Sequence, residues 1–175
     1  VLAASREIGC VEVDYDELSP VIDITQVESA GAAVHDDVPD NVCYDWGHGS
    51  KDAVDAAFKV AAKVSTLEFD NNRLIPNAME PRAANAVYTS HDDSYTLYVA
   101  NQNPHVERLL MCAFVLGIPE SKMRVIAPDV GGGFGMKNVL YPEWVLILWA
   151  ARRLGRPVKW IGDRSEDFVG AAHGR

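Results

Sequence analysis

Residues 129–137 read Asp-Val-Gly-Gly-Gly-Phe-Gly-Met-Lys. They follow the apolar run from Met123 to Ala127, which predicts a buried strand, and they precede Trp144 to Arg153, which predicts a helix. Glycines at four of the five positions 131–135 leave the backbone almost without Cβ atoms, so its N–H groups can turn outward and approach a ligand closely. A glycine-rich turn between a strand and a helix commonly binds an oxygen-rich anion. We therefore expect the chain to be organised around this loop.

Two known glycine patterns do not fit the loop. The dinucleotide-binding fingerprint requires a glycine at Met136, and the P-loop requires that glycine as well as a serine or threonine at Asn138. Judged alone, the loop either eases a tight turn or contacts a ligand. Two alternative functions therefore stay open. One is a nucleotide-binding enzyme that uses residues Gly131 to Gly135 for a pyrophosphate, and the other is a non-catalytic α+β interaction module that keeps the loop for packing.

The composition is typical of a soluble globular protein. With 175 residues, the chain is long enough for one domain with a real core and for part of a second domain. Hydrophobic residues make up 48% and charged residues 23% of the chain, which argues against disorder. The net charge of −9 is not offset by any basic cluster, so a nucleic-acid partner is disfavoured.

Cysteine usage and hydropathy indicate the compartment. Cys10, Cys43 and Cys112 are odd in number, far apart and without CxxC spacing, so a disulfide framework and a cysteine-based metal site are both disfavoured. A reducing compartment, the cytoplasm, is the simpler interpretation. The longest uninterrupted apolar run, Trp144 to Ala151, is much shorter than the roughly 20 residues of a membrane helix. We therefore predict no membrane span.

Residue periodicity predicts alternating helices and strands along the chain. In order, they are the tail of a helix (Val1 to Ile8), a strand (Val11 to Tyr15), an acidic connector (Glu28 to Asp40), a short strand (Asn41 to Trp46), a helix (Lys51 to Ala62), the two strands of a hairpin (Ala83 to Thr89 and Tyr95 to Ala100) and a helix that begins at Asn103-Pro104 and ends before Gly117. The last of these helices has an apolar stripe made of Val106, Leu109, Leu110, Ala113 and Phe114. A final strand ends at Ile161, and the charged run at 163–167 is predicted to hold a loop through ion pairs.

Few side chains are candidates for chemistry. Gln102 lies between a predicted strand and a predicted helix, where a carboxamide can donate a hydrogen bond into a cleft, although an ordinary polar loop residue is the plainer alternative. Glu80 lies two positions before Arg82, which predicts a structural ion pair more readily than a catalytic acid. His105 and His173 have no partner at metal-ligand spacing, so we interpret both as ordinary polar residues.

Four short motifs together are far more specific than any one alone. They are Met-Glu-Pro-Arg at 79–82, Asn-Gln-Asn-Pro-His at 101–105, Pro-Asp-Val-Gly-Gly-Gly-Phe-Gly at 128–135 and Asp-Arg-Ser-Glu at 163–166. In this order and at these separations, they resemble the molybdenum-binding large subunit of the molybdenum hydroxylases, the xanthine dehydrogenase and aldehyde oxidase family. The details are most similar to the branch of aerobic carbon monoxide dehydrogenase large chains. Since Val1 is not an initiator residue, we expect a fragment of such a subunit.

The resemblance covers nearly the whole chain and implies an α+β fold. Residues 1–28 would be the end of a hammerhead-like α/β domain, and residues 29–62 would be a connector with one helix. Residues 63–175 would be the first part of the molybdenum cofactor-binding domain. The chain would therefore hold part of a cofactor site and not the whole of it.

The resemblance also implies roles for individual residues. In that family a glutamine hydrogen-bonds an oxo ligand of molybdenum, and Gln102 matches it. The family's glycine loop lies against the pterin cofactor, and its counterparts here are Gly132, Gly133, Phe134 and Gly135. An arginine that reaches towards the substrate pocket matches Arg175. We expect Gln102, Phe134 and Arg175 to be catalytic, and no residue of the chain to ligate the metal.

The implied reaction is oxidation of an aldehyde, carbon monoxide or an N-heterocycle, with water as the oxygen source. The implied cofactor is molybdenum bound to molybdopterin, in its cytosine dinucleotide form. Electrons would pass to 2Fe-2S clusters and FAD on partner subunits or domains, in a dimer of heterotrimers. The family's glutamate base and its substrate loop would lie beyond Arg175, so the chain does not specify its substrate.

Overall fold

The computed structural model describes residues 14–69, 71 and 74–172. The predicted helix tail at 1–8 lies outside these residues, as do His173 and Arg175. Of the strand predicted at 11–15, only residues 14 and 15 are described, and they are irregular. The chain divides into two units, Val1–Leu67 and Glu68–Arg175.

Among the described residues of the first unit, Asn41 holds together the short turns between residues 27 and 41. The Asn41 amide donates to the carbonyl oxygens of Val27 and Ala32, both at 3.0 Å, and its Oδ1 accepts the Val34 N–H at 2.8 Å. Its φ of 59° is one that asparagine tolerates. The strand predicted at 41–46 is wrong, because these residues are irregular and Asn41 completes a turn.

Helix α1 (Lys51–Val60) is the one α-helix among the described residues of the first unit. It begins where predicted, after Ser50, whose hydroxyl accepts the N–H three residues on at 3.3 Å, and it ends two residues earlier than predicted. Its apolar side chains Val54 and Phe58 are exposed. None of residues 14–67 is buried, so the described part of this unit has no core of its own.

The described residues of the second unit form one mixed sheet. Its strands are β1 (Ala83–Thr89), β2 (Ser94–Val99), β3 (Met123–Ile126) and β4 (Val158–Ile161), in the order β3-β2-β1-β4. β1 pairs antiparallel with β2 and β4, whereas β2 and β3 are parallel. The predicted hairpin and the strand at 123–127 are therefore confirmed, with ends that differ by at most one residue. The prediction that this strand is buried is wrong, since β3 lies at the edge of the sheet and only its Met123 is buried. Helices joined to a sheet with both kinds of pairing make this an α+β unit, as predicted.

Helix α3 (Pro142–Leu154) packs against β1 and β4. Its buried side chains recur at helical spacing, and they are Trp144, Ile147, Leu148 and Ala151. On β1 the buried positions are Ala84 and Ala86, whose small side chains let the helix approach closely. The helix ends at Gly155, which has a φ of 62°. None of the helices in the described ranges has the length and apolar character needed to cross a membrane.

Helix α2 (Pro104–Leu110) begins at the predicted proline and continues as a π-helical turn, Met111–Leu116, up to Gly117. The apolar stripe does not face the core, since Val106, Leu109 and Phe114 are exposed. The buried face instead carries Glu107, Met111 and Cys112. This helical segment carries apolar side chains on two faces, and hydrophobicity alone does not determine which face packs against the sheet. Burial raises the pKa of Glu107, which favours its uncharged form.

The charged run at 163–167 opens helix α4 (Arg164–Gly170) and does not form the predicted loop. Asp163 is the N-cap residue, and its carboxylate accepts the Glu166 N–H at 2.8 Å. The Glu166 side chain in turn accepts the Asp163 N–H at 3.4 Å. This reciprocal capping box is the signature that the Asp-x-x-Glu spacing carries, and the sequence reasoning missed it.

Candidate functional site

The glycine loop between β3 and α3 alternates between ordinary and left-handed backbone. Gly132, Phe134 and Gly135 have φ angles of 96°, 52° and 87°. A residue with a Cβ atom, such as phenylalanine, is strained in this region by about 1–2 kcal/mol. The Phe134 ring is 70% exposed, so packing against the described residues does not offset that strain. Strain of this kind is concentrated at functional sites.

Two of the glycines are required because other residues lie directly against the loop. A Cβ atom on Gly131 would lie 2.5 Å from Cβ of Glu80, and one on Gly133 would lie 2.4 Å from Cδ of Gln102. Both distances are far below van der Waals contact. The loop is therefore stacked on the two polar side chains that the sequence singled out, although those residues are far apart in the chain.

Gln102 is held by the loop through its oxygen. Oε1 accepts the N–H groups of Gly135 and Lys137 at 3.0 and 3.2 Å, and the Gln102 backbone N–H donates to the Lys137 carbonyl at 2.9 Å. Because two N–H donors require an acceptor, these contacts determine the orientation of the carboxamide. Nε2 makes no hydrogen bond to another described residue, and the side chain is exposed. A neutral donor thus stays free beside the loop.

Asn101 also binds the loop residue Lys137 and so supports the position of Gln102. The sequence analysis gave Asn101 no role. It is buried, its amide donates to the Lys137 carbonyl at 3.0 Å, and its Oδ1 accepts the Asn103 N–H at 2.6 Å. The asparagine therefore fixes the turn from β2 to α2 that carries Gln102. Its position immediately before a predicted helix cap was the available signal, because asparagine commonly bonds to the backbone two residues on.

Glu80 pairs with Lys137 and not with Arg82, so the predicted Glu80–Arg82 ion pair is wrong. Lys137 is fully buried, and its Nζ lies 2.9 Å from Oε2 of Glu80. The same oxygen accepts the Gly131 N–H at 2.9 Å. Burial alone would raise the pKa of Glu80, but the hydrogen bonds from Lys137 and Gly131 outweigh it and lower that pKa. Nearness in sequence suggested the wrong partner, since the fold brings the ammonium from 57 residues away.

Arg82 pairs with a residue of α4 instead, although its two terminal nitrogens make no hydrogen bond to another described residue. Its Nε lies 2.7 Å from Oδ1 of Asp167, and its backbone N–H donates to Oδ2 at 3.0 Å. Both side chains are buried. The guanidinium also lies 4.1 Å from the centre of the Tyr141 ring and 5.3 Å from that of Trp160. The charged run at 163–167 therefore contributes one buried ion pair, through Asp167, although it does so from a helix.

Arg164 on α4 fixes the segment that leads into Glu80. Its guanidinium donates to Oδ1 of Asn77 and to the carbonyl oxygens of Ala78 and Met79, at 2.9, 2.5 and 2.9 Å. Because prolines interrupt this segment, it has few backbone hydrogen bonds of its own. The arginine supplies the missing partners, a role that the sequence did not reveal.

The other predicted site residues contribute less to the described geometry. Arg175 and His173 lie outside the described residues, and His105 is exposed. Within the described ranges, no three His, Cys, Asp or Glu side chains are grouped so that they could hold a metal ion. The site therefore consists of Gln102, the glycine loop and the Glu80–Lys137 pair.

Comparison with known protein families identifies the domain that contains Gln102, the glycine loop and the Glu80–Lys137 pair. The family model described as molybdopterin cofactor-binding domain matches residues 34–175. The chain belongs to this family. Its membership favours the molybdenum hypothesis over a nucleotide-binding enzyme or an interaction module.

Relatives within the family agree with the resemblance seen in the motifs. The carbon monoxide dehydrogenase large chain of Hydrogenophaga pseudoflava is 35% identical over 98% of this chain and 23% of its own length. The nicotine 6-hydroxylase large subunit of Paenarthrobacter nicotinovorans is 35% identical over 97% of this chain and 21% of its own length. A solved structure, reconstituted CO dehydrogenase from Oligotropha carboxidovorans, is similar with a TM-score of 0.80 and 33% identity over 99% of this chain and 23% of that one. The chain thus spans between 21% and 23% of the length of these relatives.

These matches confirm the predicted family and the α+β cofactor-domain fold. The boundaries at residues 28 and 62, and the hammerhead assignment of residues 1–28, stay predictions. The residues present also fit a molybdopterin cofactor. Gln102 offers a free neutral donor, and the N–H groups of Gly132, Gly133 and Phe134 make no hydrogen bond to another described residue.

Proposed function

We propose that this chain is part of the large subunit of a molybdenum-dependent hydroxylase and forms one wall of its cofactor site. The observation that carries the proposal is the carboxamide of Gln102. Two loop N–H groups hold its oxygen at 3.0 and 3.2 Å, so its two amide hydrogens are available to an acceptor beside the loop. A molybdenum cofactor presents oxygen atoms that need such a neutral donor.

The bound cofactor would supply the oxidation chemistry, a two-electron hydroxylation with water as the oxygen source. Gln102 would donate from Nε2 to an oxygen of the cofactor. The loop backbone at Gly132, Gly133 and Gly135 would lie against the pterin, whose polar atoms would bind the free N–H groups of the loop. As a neutral group, the carboxamide can remain hydrogen-bonded while the charge on its acceptor changes.

Phe134 and Arg175 would face the substrate. The strained backbone of Phe134 presents an exposed ring on the loop that holds Gln102, where we propose that it shapes a small pocket for an aldehyde, carbon monoxide or an N-heterocycle. Two relatives are named for carbon monoxide and nicotine, which supports a small substrate. Arg175 is proposed to reach the same pocket, from its match to the family motif.

The complete protein is proposed to work with partners. Relatives are named as large chains and as a subunit gamma of a dehydrogenase complex, which supports an assembly of several subunits. We propose 2Fe-2S and FAD partners, a dimer of heterotrimers, the cytosine dinucleotide form of the cofactor and a cytoplasmic location. We also propose that residues 1–28 end a hammerhead-like domain, that 29–62 connect it, and that 63–175 begin the cofactor domain.

The test is the variant Gln102→Ala in the full-length enzyme complex. A desolvated hydrogen bond of this kind contributes about 1–3 kcal/mol, so turnover should fall about 5- to 150-fold while molybdenum content is retained. Gln102→Glu should be more damaging, since it replaces a donor with an anion. Wild-type turnover of Gln102→Ala at full molybdenum occupancy would remove Gln102 from the site, and absence of molybdenum and pterin from the wild-type complex would reject the function.

A further inference from the structure

Lys137 is the residue at which the glycine loop, Gln102 and Glu80 meet. Its backbone N–H donates to Oε1 of Gln102 at 3.2 Å, and its carbonyl accepts the Gln102 N–H at 2.9 Å. Its ammonium group lies 2.9 Å from Glu80, whose carboxylate also accepts the N–H of Gly131 at 2.9 Å. One lysine and one glutamate therefore connect both ends of the loop to the carboxamide.

The Lys137–Glu80 ion pair is stronger than the neutral hydrogen bonds around it. Hydrogen bonds with an ionised partner are roughly twice as strong as neutral ones. The Lys137 side chain is fully buried, and a buried ammonium group that loses its partner is strongly unfavourable. Glu80 is partly exposed, so water can solvate its carboxylate if the pair is broken. Of the two, Lys137 is therefore the residue that cannot move away.

We propose that the Lys137–Glu80 ion pair positions the Gln102 carboxamide, and that both are positioning residues for the cofactor site. The pair fixes the Lys137 backbone, which in turn fixes the angle at which Gln102 presents Nε2. This inference rests on the proposed function, since there the direction of that donor matters for turnover.

The first readout needs no activity. Hydrogen exchange is measured on the complete complex without cofactor, for Lys137→Met, Glu80→Gln and the neutral pair Glu80→Gln/Lys137→Met. The amides of Gly135 and Lys137, which donate to Gln102, should exchange at least about 10-fold faster in all three variants. The double variant removes both charges, so it leaves no buried charge without a partner. It therefore provides the test if a single variant does not fold. Wild-type exchange in the double variant would overturn the proposal.

The second readout is steady-state turnover of the loaded enzyme. Each variant should lower kcat about 10- to 100-fold, as expected when a positioned group shifts by on the order of 1 Å. In a Gln102→Ala background, adding Lys137→Met should lower kcat no further, because the pair acts through Gln102. Multiplied losses in the combined variant would show a purely structural effect and overturn the proposal.

The matched control is Glu120→Gln. It removes the half-exposed Arg108–Glu120 pair, whose atoms lie 2.8 Å apart in the same unit but away from the loop. Exchange at Gly135 and turnover should stay at wild-type values, and a change equal to that of Glu80→Gln would show a general charge effect and overturn the proposal. If the wild-type complex contains no molybdenum and no pterin, the proposed function fails, whereas the exchange measurement still tests the link from Lys137 to Gln102.

Discussion

The substitution Phe134→Gly relieves backbone strain and removes the ring, so its effects on stability and on activity can be measured separately. Its φ of 52° costs a residue with a Cβ atom about 1–2 kcal/mol, and glycine removes that cost. Glycine also makes the unfolded chain more flexible, which lowers stability by about 0.4–1 kcal/mol. Since the ring is 70% exposed, little packing is lost. Phe134→Gly should therefore change the free energy of unfolding by about 0 to +1.5 kcal/mol.

Catalytic activity should fall in these variants although stability does not. Phe134→Gly and Phe134→Ala both remove a ring that is proposed to contact cofactor or substrate, so both should raise KM or lower kcat. Phe134→Ala keeps the strained φ, and its stability should stay close to that of the wild type. The assays are denaturant unfolding of the full-length protein without cofactor and steady-state kinetics of the loaded enzyme.

Phe114 provides the matched control. Its ring is 79% exposed, but it lies in the helical segment Met111–Leu116, where glycine costs about 1 kcal/mol. Phe114→Gly should therefore destabilise the protein where Phe134→Gly does not. If Phe134→Gly destabilises by several kcal/mol and the kinetics of Phe134→Ala are unchanged, the ring belongs to a core and the argument from strain is wrong.

Two further predictions concern the charges around Glu80. Asp167→Ala leaves the buried Arg82 guanidinium without its 2.7 Å partner, so it should lower the free energy of unfolding, measured by urea titration, by about 3–5 kcal/mol. The control Asp163→Ala removes an exposed helix cap and should cost about 1 kcal/mol. A smaller loss in Asp167→Ala than in this control would contradict the prediction. Because the pKa of Glu80 is lowered from its ordinary 4.5, its stabilisation is complete above that pH and is lost as the pH falls through the lower folded-state pKa. Tm measured against pH should therefore be flatter in Glu80→Gln, and identical curves would rule the contribution out.

Local patterns were enough to predict the elements of the second unit. The alternation in β1 and β2, the proline at the start of α2 and the glycine after α3 each act within a few residues, and the structure has these elements within one or two residues of their predicted ends. The first unit was less predictable. A strand was expected at 41–46, but the described residues of that unit offer no sheet to pair with it.

Contacts between distant residues were not predictable from the sequence. The spacing of Glu80 and Arg82 suggested a pair, whereas the actual partners lie 57 and 85 residues away. The orientation of Gln102 likewise depends on the N–H groups of Gly135 and Lys137, which no local pattern connects to it. The family motifs drew attention to Gln102 and the loop, but they did not reveal that the loop holds the carboxamide by its oxygen.

The support of the site extends from the loop to α4. Arg164 and Asp167 hold residues 77–82 on both sides of Glu80, and Glu80 holds the loop that holds Gln102. A continuous series of hydrogen bonds thus connects a helix at residues 164–170 to the carboxamide. A strained residue persists only where its surroundings over-determine its conformation. This series of contacts is therefore the physical reason that the Phe134 ring can stay exposed on a left-handed backbone beside the free donor of Gln102.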